Sequence, residues 1–215
     1  MRGAATVSRD LCSHVHAAVR QLPVLFFPAR KDGLPNNGLY ILFEQGEIGH
    51  NGSRIVRVGS HTGTGNLPSR LVEHTTANKD RSIFRKNIGR ALLNRAHDPF
   101  LEQWNWDLTS KEKRALFGPR LDTNRQQEVE KAVTGYIVEN LSFVVIGVED
   151  RTARLSLEKA LIATIAQCPR CKRSSNWLGN FSPVDSIRKS GLWLKQHLNG
   201  ETLSRDQLLW LSRQP

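Results

Sequence analysis

Arg70 and His74 stand four residues apart in a stretch that opens with Asn66 and Pro68, a helix-start pattern, so the spacing puts both on one helix face. A guanidinium offers five donors in a planar fork, suited to a non-bridging phosphate oxygen, and an imidazole four residues on reaches the same site. The plainer readings are an arginine paired with Glu73 or Glu44 and an amphipathic histidine at a helix end. Tyr40 lies in the β-rich run Leu39-Tyr40-Ile41-Leu42-Phe43. A phenol is a poor base at neutral pH unless neighbouring positive charge assists it, and a core tyrosine with a satisfied hydroxyl is the competing reading. Glu158 reads as lying in the opening turn of a helix that follows the most apolar strand. One carboxylate can hold one divalent ion if waters and phosphate oxygens fill the other positions. Its alternative is a surface glutamate paired with Arg154, one turn earlier.

The elements that must position these residues follow from pattern. Within 10–27, apolar residues at helical spacing (Leu11, Val15, Ala18, Val19, Leu22) predict a helix, and Pro23 and Pro28 then interrupt the pattern, so an irregular segment follows it. After a turn cluster, Leu39–Phe43 and Ile55–Val58 read as two strands of an antiparallel hairpin, joined by a loop from Gly46 to Ser53. A helix is expected from Leu67 to Thr75 and another from Ser82 to Arg95, with Ile83, Ile88 and Leu92 as its apolar stripe. Residues 97–125 read as a polar excursion carrying Trp104 and Trp106. Helix returns at Arg125–Asn140, and Leu141–Val148 is the strongest strand, central and covered on both faces. Helices at Ser156–Ile165, Asp185–Leu198 and Arg205–Leu211 complete the chain. The fold class is α/β (α+β): a small three-stranded, mainly antiparallel sheet flanked by helices, with a helical insertion and C-terminal helices.

Taken in order, several segments resemble the GIY-YIG nuclease superfamily: Gly38-Leu39-Tyr40 on the first strand, a second strand ending in Val58-Gly59, and Arg70 with His74 on the next helix. Leu157-Glu158-Lys159-Ala160-Leu161-Ile162 is similar to that family's metal-binding glutamate helix. Asn176, in Ser175-Asn176-Trp177-Leu178-Gly179, is similar to the asparagine that follows it. The resemblance covers residues 37–182 with a helical insertion at about 76–140, leaving 1–36 as a lead-in and 183–215 as a helical extension packed on the same domain. It implies a metal-dependent endonuclease hydrolysing DNA phosphodiesters with one Mg²⁺ (or Mn²⁺). Glu158 would hold the ion, Arg70 would stabilise charge on phosphorus, Tyr40 assisted by His74 or His61 would activate water, and Asn176 would orient the metal shell. One position departs from the pattern: the second motif begins with tyrosine in the family and with Arg57 here. Alternation puts Arg57 on the face opposite Val56 and Val58, where it either serves the phosphate site or marks lost chemistry. The alternative function is therefore a catalytically inactive nucleic-acid-binding module on the same fold.

Composition agrees with a polyanionic partner. The 215 residues carry 31 Lys+Arg against 20 Asp+Glu, a net charge of +11, which favours DNA over a membrane surface. Arg81, Arg85, Lys86 and Arg90 on one helix and Arg170, Lys172 and Arg173 in a later loop are the candidate phosphate contacts; the plain alternative is a solvated helix face. No apolar run is long enough to cross a bilayer, and the absence of a secretory segment with only three cysteines points to a cytoplasmic, nucleoid-associated protein. Gly63-Thr64-Gly65 lacks the ending of a phosphate-binding P-loop. Cys168-Pro169-Arg170-Cys171 has the spacing of a zinc half-site, but only Cys12 and scattered histidines remain to close it, so structural zinc is disfavoured. A homodimer is implied if both DNA strands are cut.

Overall fold

In the computed structural model, residues 4–214 are described, with side chains from Leu11 onward. Strand β1 is Leu25–Phe26, β2 is Gly38–Gly49, β3 is Gly52–Gly59 and β4 is Leu141–Gly147. They form one antiparallel sheet in the order β1-β4-β2-β3, so β2 lies between β3 and β4. The strand beyond the expected three is two residues long and sits between Pro23 and Pro28, too short to leave an alternation signature. The expected loop over Gly46–Ser53 contracts to a two-residue turn, His50-Asn51, both with positive φ (50° and 64°). That backbone suits the twist of a tight hairpin, and His and Asn adopt it more readily than most residues. Glu47 and Arg54, polar residues that read as loop, are instead strand residues joined in a buried ion pair.

The period of two along β2 divides the interior. Leu39, Ile41 and Phe43 enter one core with α1 (Ala4–Val19), α7 (Arg151–Ala166) and α9 (Arg205–Leu211). Tyr40 and Leu42 enter the other with α2 (Leu67–Glu73), α3 (Ile83–Arg95), α4 (Leu101–Asn105), α6 (Thr123–Asn140) and the indoles of Trp104, Trp177 and Trp193. Segment 76–140, which reads as an insertion, thus supplies most of the layer on one face of the sheet. Trp104 anchors it: the indole covers Gly89, where a Cβ would stand 2.3 Å from the ring, and its Nε1 donates to Lys86 O at 2.9 Å. Helix α5 (Lys111–Phe117), within the polar excursion, buries nothing.

Two helix boundaries move. Asp150 caps α7 by accepting from Ala153 N, so the helix starts at Arg151 and Glu158 is its eighth residue, not part of its opening turn. Gly191, at φ 72°, ends α8 (Asp185–Ser190) well before the expected Leu198. On α3 the buried stripe is Phe84, Ile88 and Ala91, whereas Ile83 is exposed. Among the described residues no helix is long and apolar enough to cross a membrane.

Candidate active site

Past the end of β3, the loop from Ser60, helix α2 and helix α7 enclose a cleft of about 670 Å³. Arg57, His61, Arg70, Arg81 and Glu158 line it, and Arg57 and Glu158 also line an adjoining depression of about 390 Å³. Strand β3, the loop after it, α2, the turn before α3 and α7 therefore deliver cationic, imidazole and carboxylate groups to one opening.

Arg57 arrives there through a β-bulge. The register shifts between Leu42, opposite Arg57, and Phe43, opposite Ile55, which leaves Val56 as the extra residue. Strict alternation would set Arg57 against Val56. The bulge instead puts both on the Tyr40 face, while Val58, like Ile55, faces the opposite core. The Val56 carbonyl accepts from Trp193 N at 2.8 Å, and the Arg57 guanidinium donates to Trp193 O at 2.5 Å while lying 5.0 Å above the Phe84 ring. The bulge and this clamp hold an arginine at the mouth of the cleft.

Tyr40 and His74 stand behind the cleft walls rather than in them. Both are fully buried, and Tyr40 Oη lies 2.9 Å from His74 Nε2 and 3.4 Å from Arg57 Nε. Gly59 makes room for the phenol, since a Cβ there would stand 2.3 Å from Oη. His74 Nδ1 lies 3.1 Å from Ser82 Oγ, which caps α3 by accepting from Arg85 N. The Ser82–His74–Tyr40 chain can run in either direction, and in both His74 is neutral. Burial, then the Arg57, Arg70 and Arg85 charges, hold the His74 pKa well below 6.5. An unfolded chain takes up a proton near pH 6.5 where the folded one does not, so this contribution is present above that pH and is lost as pH falls below it. We expect the denaturation midpoint of the wild type to fall more steeply below pH 6.5 than that of His74→Gln. Parallel pH profiles would disprove the buried neutral state.

Arg70 keeps its place on the cleft while pairing with Glu73 at 3.0 Å and donating to Arg81 O at 3.0 Å, so the plainer pairing exists as well. His74, four residues later, caps the C-terminus of α2. His61 is buried against Gly38 N, which donates to its Nε2 at 3.3 Å. Burial, then the Arg154 guanidinium, lower its pKa, leaving a neutral ring at the cleft. His61 Nδ1 and Ser60 Oγ are both buried without a geometrically formed hydrogen bond among the described residues. Two unsatisfied polar atoms on a cleft wall are what a bound ligand or water would satisfy.

Glu158 lies half-buried between Arg57 and the Ser60 amide. Burial raises its pKa, and Arg57, the Ser60 amide, Arg154 and Lys159 oppose that rise. Arg154, the partner of the plainer reading, is itself buried and turns its guanidinium to Val148 O and Gly63 O. The Glu158 carboxylate therefore faces an open cleft with one guanidinium and one backbone amide beside it.

The remaining candidates separate from this group. Asn176 is exposed, beside Ser175, and does not line the cleft, because the chain past α7 runs toward the hairpin tip, where Ser174 meets Glu47. Lys172 and Arg173 line a different depression with Cys168 and Cys171, and Arg170 lies in the same exposed loop. On α3 the charge run turns inward. Arg85 is fully buried on Glu130, Lys86 reaches Asp80 at 3.4 Å, and Arg90 donates to Asn105 and Asn87. Of that set only Arg81 is exposed on the cleft. Sequence reasoning missed Ser82 as the histidine's partner and Gln196 as a wall of the cleft; a capping serine before an apolar run was the available signal for the first, and nothing marked the second.

A family model of the GIY-YIG domain matches residues 10–213, nearly the whole described chain. No curated protein and no solved structure matches the chain significantly. The matched span includes the hairpin, the arginine helix and the glutamate helix that meet at the cleft, and on that extent the chain belongs to the GIY-YIG nuclease superfamily.

Proposed function

We propose that this chain is a DNA endonuclease that hydrolyses phosphodiesters at the Arg57–Glu158 cleft with one bound Mg²⁺ or Mn²⁺. The observation that carries the reading is the convergence of Arg57, His61, Arg70 and Glu158, from β3, the following loop, α2 and α7, on one cleft. The donor set fits a hard divalent ion: Glu158 is the cleft carboxylate not committed to an ion pair, since Glu73 is held by Arg70. Such an ion supplies charge neutralisation at the phosphate and the leaving oxygen.

Arg57 and Arg70 bind the non-bridging oxygens and meet the negative charge that builds on phosphorus. His61 takes the proton of the attacking water on Nε2, which in the ligand-free fold accepts from Gly38 N at 3.3 Å and gives up that contact to act. Tyr40, enclosed behind the arginines, acts as a positioning residue, its phenol oxygen fixing the Arg57 side chain while His74 fixes the phenol. Arg81 adds a phosphate contact at the rim. Products are a 5′-side and a 3′-side fragment, one of which keeps the phosphate.

Conversion of supercoiled plasmid to nicked and linear forms, with Mg²⁺ or Mn²⁺ against chelator, tests this. Nicking that needs the cation and disappears in Glu158→Ala is the expected result. Salt-sensitive DNA binding by both proteins with no cutting of any DNA form would establish the binding module instead.

A further inference from the structure

The donors that look scattered in sequence are gathered in the fold. Cys12 and His16 lie one turn apart on α1, His50 forms the tip of the β2–β3 hairpin, and Cys168 and Cys171 follow α7. Ligand atoms of Cys12, His16, His50 and Cys171 all lie within 4.8 Å of one another, and Cys12, His16 and Cys171 are buried. Cys171 Sγ is 3.7 Å from His16 Nε2, and Cys168 Sγ is 3.4 Å from His50 Nε2. Tetrahedral zinc with sulfur and nitrogen ligands sets its donors about 3.5–3.8 Å apart, so these separations need little adjustment.

We propose that Cys12, His16, Cys171 and one member of the touching pair His50 and Cys168 bind a structural Zn²⁺. Thiolate and imidazole donors select zinc over magnesium, which separates this site chemically from Glu158. The His16 ring already has the orientation of a ligand, because its Nδ1 donates to Cys12 O at 2.9 Å, which fixes the ring and leaves Nε2 turned to Cys171. The Ile55 amide, 3.3 Å from the same nitrogen, is the contact the ion would replace. Gly49 lets the thiol in, since a Cβ there would stand 3.1 Å from Cys171 Sγ.

The ion would staple three segments distant in sequence: α1, the hairpin tip and the loop after α7. It would sit at the Gly49–Gly52 end of the hairpin, whereas Tyr40 and Gly59 pair at the other end, roughly 20 Å away along the length of β3. The site is therefore structural, and it does not depend on the nuclease reading.

Metal analysis of the full chain, purified without chelator, should give about one zinc per chain. Cobalt in its place should show thiolate charge-transfer absorption and tetrahedral ligand-field bands. Cys12→Ser and Cys171→Ser should each lower bound metal at least about tenfold. Between His50→Ala and Cys168→Ser, the variant that loses metal names the fourth ligand; full retention by both would overturn the closed four-ligand site. Should the cysteine variants not fold, the wild type decides: chelation should lower its melting temperature, and Zn²⁺ but not Mg²⁺ should restore it. Wild type that is free of zinc and takes up no cobalt, or whose mass shows a Cys12–Cys171 disulfide, overturns the proposal. Glu158→Ala should keep its zinc, which separates failure of this inference from failure of the nuclease reading.

Discussion

Glu158→Gln is expected to lower the DNA nicking rate by at least about 10³-fold while leaving the melting temperature at neutral pH equal to or above that of the wild type. On the proposed function the activity loss follows from removing the cleft carboxylate that, among the described residues, is not in an ion pair: several kcal/mol of charge stabilisation would depend on the cation it would hold, and each 1.36 kcal/mol is about tenfold in rate. The stability result follows from the sign of its pKa shift. Burial raises the folded-state pKa of Glu158 above its ordinary value, so its stabilising contribution belongs to the protonated form and is lost as pH rises through the folded pKa. Burial makes the ionised side chain a cost to the metal-free protein, and the amide removes that cost. The same shift makes a proton compete with the cation, so metal dependence should steepen as pH falls toward that pKa. Plasmid nicking and thermal melting on one preparation measure both halves. A variant that loses activity and melts lower would place Glu158 among residues that hold the fold, and its role as a ligand would fall with that result.

What could be read ahead of the structure was whatever rests on local periodicity. The hairpin follows from two β-rich runs, the helix carrying Arg70 from its Asn66-Pro68 start, and the glutamate helix from its place after an apolar strand; helical spacing alone does not bring His74 to the cleft that Arg70 lines. What escaped depends on contacts between distant segments. The bulge at Val56 leaves no local mark, because its cause is the Trp193 segment clamping the edge of β3 from 137 residues away in sequence. Tyr40 read as a residue in contact with water because a strand pattern gives its face but not what covers that face; Arg57, Arg70 and His74 cover it. The basic run on α3 looked like a phosphate-binding surface because charge is ordinarily solvated, and Glu130, Asp80 and Trp106 O, which draw it inward, lie outside that helix. The zinc donors show the same limit, since His16 and His50 become partners only when α1 packs against the hairpin tip.

Arg85→Ala is expected to destabilise the protein by about 3–5 kcal/mol, the cost of breaking a buried ion pair by removing one partner. Arg85 is fully enclosed, and its guanidinium donates to the Glu130 carboxylate through Nε and Nη2, to Glu130 O at 2.9 Å, to Thr134 Oγ1 at 3.0 Å and to His74 O at 2.9 Å. Its loss leaves the Glu130 carboxylate, which is 4% exposed, without a counter-charge and with the Lys79 amide as its remaining partner, and it strands the carbonyl of the histidine that holds Tyr40. For a chain of this size the penalty corresponds to a fall in melting temperature of about 10 °C or more. Arg85→Met combined with Glu130→Leu should recover much of it, because the pair is then removed without an unpaired charge. Arg81→Ala should do the reverse. Its side chain is 71% exposed on the cleft, so stability should change by less than about 0.5 kcal/mol while the salt dependence of DNA binding loses about one phosphate contact. Two arginines four residues apart in one basic run thus separate by environment: one is enclosed in the layer that supports His74, the other stands exposed on the cleft. Thermal melting and salt titrations of DNA binding on the two variants decide between them, and an Arg85→Ala protein of unchanged melting temperature with a reduced salt slope would return Arg85 to the DNA surface.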